Sequence, residues 1–188
     1  MSSTAKTASS APVWRRPQVL AIAGVLVLAL AAGGWFVFLR DGSAAYCDDL
    51  KTWEAKSKET LAPDADVATS AEFLSGSVSR RLDGADEFSK DGPDDVKADW
   101  KLFHDRLVDV VDVFKKIGYD LTDPDSVEKF ASDVQSGALT TIDPALQAEA
   151  AEVQSKLADS ESTAAVDAIT KDAKDRCDID LQLSTKAQ

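Results

Sequence analysis

From Tyr46 onward, apolar residues recur at steps of three and four, the spacing that lines one face of an α-helix, and β-branched runs of period two are missing. A first helix is expected over about 46–60, with Tyr46, Leu50 and Trp53 on one stripe, ending before Pro63. A second, over about 66–89, carries Val67, Ala71, Leu74, Val78, Leu82, Ala85 and Phe88. The third has the clearest pattern. Asp91-Gly92-Pro93 supplies a turn with proline near the first helical position, and Val96, Trp100, Phe103, Leu107, Val110, Val111, Phe114 and Ile117 form its apolar face before Gly118 stops it.

A shorter helix follows Asp123-Pro124 with Val127, Phe130 and Val134, and Gly137 breaks it. Another follows Asp143-Pro144 with Leu146, Ala150, Val153 and Leu157, where the aspartate can cap and the proline needs no donor. Ser160 to Thr163 interrupts the pattern, and a last helix uses Val166, Ile169, Ala173 and Cys177. Short connections between such stripes predict an all-α, antiparallel helical bundle over residues 46–183, with 184–188 as a tail.

The N-terminal part has a different pattern. After Gln18 the chain runs uncharged to Leu39, about twenty residues, the length a helix needs to cross a hydrocarbon core of ~30 Å. Residues 18–39 are therefore expected to be an uncleaved transmembrane helix, because a signal peptide has a shorter apolar region followed by a small-residue cleavage site. Cys47 follows Tyr46 and is separated from the apolar run by Arg40 and Asp41, which does not fit a lipidated cysteine. Arg15 and Arg16 precede Pro17 and Gln18, which does not fit a twin-arginine signal. Lys6, Arg15 and Arg16 outnumber Arg40, so the positive-inside tendency keeps residues 1–17 in the cytoplasm as a short disordered tail. Trp14 and Trp35 fit the aromatic belts of the anchor, and residues 40–45 are a linker.

Charge then narrows the function. Before Asp41 there are four basic residues and no acidic one; the remainder carries 17 basic against 33 acidic, a balance of −16. Such a field repels nucleic acid, whose binding needs lysine and arginine against phosphate, so no nucleic-acid partner is expected. The two cysteines, Cys47 and Cys177, stand near the two ends of the outer part of a chain expected to be exported. They are expected to be bonded, closing a loop of about 130 residues that restricts the unfolded chain by roughly 4 to 5 kcal/mol. A redox or metal role would call for C-x-x-C spacing or nearby histidines, which are absent.

His104 is the single histidine, which excludes histidine-based triads and multi-histidine metal sites. Asp105, Asp109 and Asp112 line one helix face near it, and Asp91, Asp94 and Asp95 cluster in a loop without the spacing of a calcium loop. No phosphate loop, nucleophile elbow or H-E-x-x-H helix is present, and neither a cofactor nor a catalytic residue is expected.

Ala45-Tyr46-Cys47, the Gly92-Pro93-Asp94-Asp95-Val96 run into Asp99-Trp100, and Cys177-Asp178-Ile179 resemble a pattern in exported helical proteins of actinobacteria to which no activity is assigned. There an early cysteine, an AP-x-x-V-x-x-DW-like helix start and a terminal C-G-I-like motif recur; Gly92 here replaces the alanine and Asp178 the glycine. The resemblance implies a disulfide, export and an actinobacterial source, and it carries over no functional residue. The expected function is a non-enzymatic, membrane-anchored extracytoplasmic module that binds a protein or envelope component. The alternative is an accessory or sensor domain binding a cation or small ligand through its acidic loops.

Overall fold

The computed structural model describes residues 44–139, 143–181 and 183, which contain six helices and no strand. They are α1 (Ala44–Ser57), α2 (Val67–Asp91), α3 (Lys97–Lys116), α4 (Pro124–Ser136), α5 (Pro144–Leu157) and α6 (Ser160–Cys177). The expected spanning segment 18–39, the anchor residues Trp14, Arg15, Arg16 and Trp35, and the tails 1–17 and 184–188 lie outside the described residues. Among the described residues no helix is long and apolar enough to cross a membrane.

Aspartates start four of these helices. Asp66, Asp123, Asp143 and Asp159 accept from the backbone N–H groups of Thr69, Ser126, Ala145 and Ser162, satisfying donors that a first helical turn leaves open. Pro124 and Pro144 occupy the first turns of α4 and α5, as expected. Three helices stop in one way, with a left-handed residue after the last turn and the next N–H reaching back. Tyr119 N–H bonds Phe114 C=O after Gly118, Ala138 N–H bonds Asp133 C=O after Gly137, and Ile179 N–H bonds Ala173 C=O after Asp178. Asp178 is the one non-glycine residue at positive φ among the described residues.

Several boundaries differ from the periodic reading. α1 ends at Ser57, not near residue 60: Lys58 N–H closes the last turn on the Glu54 and Ala55 carbonyls, and the backbone leaves helical geometry after it. Pro93 sits a turn ahead of α3, not inside it: its carbonyl accepts from Val96 and Lys97, both at 3.0 Å. Ser160 to Thr163 does not interrupt α6 but forms its first turn, since the Asp159 cap brings the helix start forward. Val67, assigned to the apolar stripe of α2, is 50% exposed at the open end of that helix.

Four helices form the core with alternating directions. Tyr46 near the start of α1 meets Phe88 near the end of α2, and Phe88 meets Trp100 near the start of α3. Arg106 in mid α3 meets Ser162 at the start of α6, and Cys177 at the end of α6 meets Cys47 at the start of α1. The result is an up-down-up-down arrangement of α1, α2, α3 and α6, with α4 added against α2 and α5 against α3.

The core has two parts that share α2 and α3. One gathers Leu50, Trp53, Phe88, Trp100, Ile169 and the disulfide; the other gathers Ala71, Val111, Phe114, Tyr119, Leu121 and Phe130 around α4. Ile179, Leu181 and Leu183, beyond the last helix, are buried in the first part as well. Periodicity did not find them, because helical spacing ends at Cys177.

α1 docks through one close approach. Trp53 packs its indole over Gly84 of α2 and donates Nε1–H to the Arg80 carbonyl at 2.9 Å, in a position where an added Cβ on residue 84 would collide with the indole ring. A mid-helix glycine ordinarily costs about 1 kcal/mol against alanine, so this one is retained where a side chain has no room. Gly84→Ala should therefore destabilise the domain, by about 1–3 kcal/mol from overpacking, despite alanine's better helix propensity; urea unfolding would measure it, and a stabilised variant would contradict the notch. The Cys47–Cys177 bond spans 130 positions with 5.3 Å between Cα atoms. Reduction should lower unfolding stability by up to about 5 kcal/mol in the chain-entropy account, a difference read from unfolding curves with and without reductant.

Candidate functional site

The predicted disulfide residues are together: Cys47 and Cys177 are bonded and nearly inaccessible, at 4% and 1% exposure, and no free cysteine is present among the described residues. A bond so buried is a staple and offers no surface for thiol exchange.

The acidic rows are dispersed by their partners. On α3, Asp105 pairs with Lys101 at 2.5 Å and lies 3.6 Å from half-buried His104, while Asp109 lies 3.8 Å from Arg106. In the α2–α3 turn, Asp94 pairs with Lys97 at 3.0 Å, and Asp95 accepts a two-pronged contact from Arg176 at 2.8 and 2.9 Å. Among the described residues no three histidine, cysteine or carboxylate side chains converge on one metal position.

Two polar assemblies are less ordinary. The first lies beside the disulfide. Trp100 donates Nε1–H to the Tyr46 hydroxyl at 3.1 Å, and Asp172, with only 8% of its side chain exposed, accepts from Arg176 Nε at 2.7 Å. Burial pushes the Tyr46 phenol well above its ordinary value; the Trp100 donor opposes the shift and the Asp172 charge adds to it. Tyr46 thus stays protonated and cannot act as a base near neutrality. Through Arg176 the assembly ties α1, α3 and α6 to the α2–α3 turn, so its chemistry is that of a brace.

The second lies where α1 ends. A cleft of about 200 Å³ opens between the segment 57–61 and α2. Arg80 and Arg81 bring positive charge to it, Leu61 and Phe73 an apolar wall, and Thr60 an exposed hydroxyl. Arg80 Nη2 donates to Ser77 Oγ at 3.2 Å and reaches Glu59 at 3.7 Å, but its Nε is buried without a hydrogen-bond partner among the described residues. Arg81 has no carboxylate partner among them, and burial lowers its guanidinium below the ordinary value. Sequence reading missed this pair. The signal was present: Arg81 falls seven residues from both Leu74 and Phe88, a basic residue on the apolar stripe of α2.

No family model, no curated protein and no solved structure matches the chain.

Electrostatics at the helix starts also sets the acid response. The Ser162 N–H holds the Asp159 carboxyl below its usual range, and the Arg106 charge contributes to the shift. A carboxylate with a depressed folded pKa stabilises the fold above its unfolded value and loses that contribution as pH falls through the folded value. Asp159→Asn keeps a capping oxygen but no titrating group. The stability gap between the parent and this variant should therefore close as pH drops below about 4, as seen in urea unfolding across a pH series; a gap independent of pH would refute the assignment.

Proposed function

We propose that the chain is a single-pass membrane protein whose acidic helical bundle stands outside the cell and binds a protein or envelope component, without catalysing a reaction. The observation that carries this reading is the buried Cys47–Cys177 bond, because such bonds persist in exported domains and are rare in the cytosol. Its position suits a tether. Cys47 lies eight residues beyond Leu39, where the apolar run ends, so a pull through the anchor meets a covalent link to the last helix almost at once.

Charge supports the same reading. The balance of −16 after residue 40 keeps such a domain soluble, leaving its helix faces available to a partner. The cation-binding alternative gains no support from the acidic loop, where Asp94 and Asp95 are already engaged by Lys97 and Arg176.

Topology and binding can be read together in intact cells. A cysteine placed at exposed Glu128 on α4 should react with a membrane-impermeant maleimide, while one at Ser3 should react only after permeabilisation. Photo-crosslinkers at exposed positions of α4 and α5 should give an adduct of discrete mass. Reversed labelling would refute the orientation, and the absence of any adduct around the bundle would refute the binding role.

A further inference from the structure

We propose that the cleft between the end of α1 and α2 is a binding site for a small organic oxyanion, a phosphate or carboxylate on a short apolar substituent, held by Arg81 and Arg80. Three observations converge on this assignment. The first is unused donor capacity: Arg81, which lines the cleft, has no carboxylate partner among the described residues, and Arg80 is held there only by Ser77 and, at 3.7 Å, by exposed Glu59. Buried donors without partners are costly and uncommon in native proteins, and a guanidinium presents a planar fork that matches two oxygens of a carboxylate or phosphate.

The second is contrast with the rest of the chain. The other two described arginines are engaged, Arg106 by Asp159, Glu161 and Asp109, and Arg176 by Asp172 and Asp95. In a chain with 33 acidic residues against 21 basic ones, carboxylates are plentiful, yet Arg81 meets none among the described residues. A site awaiting an external anion explains that vacancy.

The third is shape and lining. About 200 Å³ holds a headgroup with a few carbon atoms and is too small for a nucleotide or a folded segment. Leu61 and Phe73 offer the apolar wall that a short hydrocarbon would cover, and the Thr60 hydroxyl can donate to a third oxygen. Glu59, 60% exposed and 3.7 Å from Arg80, occupies the outer edge of the site. An incoming oxyanion competes with it for Arg80, which makes Glu59 a gate on affinity.

The test is calorimetric titration of the full chain in zwitterionic lipid nanodiscs with n-butyl phosphate, against inorganic phosphate and butanol. Butyl phosphate should bind saturably and about tenfold more tightly than either comparator, since it alone engages both the arginines and the apolar wall. Arg81→Met should weaken it by about tenfold or more while raising the unfolding midpoint, because an unpaired, desolvated charge is removed. Glu59→Gln, at an exposed position, should tighten it severalfold.

A soluble anion and a lipid headgroup share this chemistry. Repeating the titration in discs containing phosphatidic acid separates them: lost butyl phosphate binding assigns the lipid as the natural source, and retained binding assigns a soluble anion. The proposal is overturned by absence of saturable binding up to about 10 mM, by unchanged affinity in Arg81→Met, which would make Arg81 a packing residue, or by weaker binding in Glu59→Gln.

Discussion

The bundle closes on α1, a helix of 14 residues that buries only Tyr46, Cys47, Leu50 and Trp53. A helix of that length is marginal alone in water, so its place depends on what holds it to its neighbours. Two contacts do so at opposite ends. Cys47 binds it covalently to the end of α6, and Trp53 settles over Gly84 of α2 with its indole N–H on the Arg80 carbonyl. Between them the rings of Tyr46, Phe88, Trp53 and Trp100 meet edge to face or tilted, at centroid separations of 4.8 to 5.9 Å for the pairs that join α1, α2 and α3. Without α1 the first part of the core would open on one side, exposing Trp100 and Leu181.

The same desolvation physics produces two different outcomes at the two ends of α1. Near Cys47, Trp100 donates to Tyr46 and Arg176 to Asp172, whose Oδ2 is buried without a hydrogen-bond partner among the described residues, and the assembly joins helices where the chain enters the domain. Near Ser57, Arg80 and Arg81 line a cleft, and Arg81 meets no carboxylate among the described residues. A brace and a binding site are built from similar residues, and the difference lies in whether the guanidinium meets carboxylates of the fold, as Arg176 does and Arg81 does not among the described residues. That is why the arginine pair is read as function and the tyrosine assembly as structure.

Elsewhere the acidic surface is less open than its composition suggests. Carboxylates at four helix starts are occupied as caps, and several on helix faces pair with lysines four residues away. Exposed pairs of this kind stabilise little individually, and among the described residues no three carboxylates gather around one cation position. The cleft beside Arg80 and Arg81 thus stands out as a positive feature in a negative surface.

Much of this domain was determined by sequence alone. Three- and four-residue spacing, aspartate caps before proline, and glycine after the last turn are local signals, set by hydrogen bonds within a few residues, and they specified the helices from α2 to α5 with small errors at the ends. Two cysteines in a chain expected to be exported were enough to predict their bond. Tertiary structure decided the features that depend on residues far apart in the chain. Gly84 reads as a defect in α2 until Trp53 arrives from 31 positions away, and Ile179, Leu181 and Leu183 become core only because α1 and α6 leave an apolar trough for them. Arg81 shows the limit most plainly. Its place on an apolar stripe was visible, but whether a carboxylate would come to meet it depended on the packing of segment 57–61, and no local spacing encodes that.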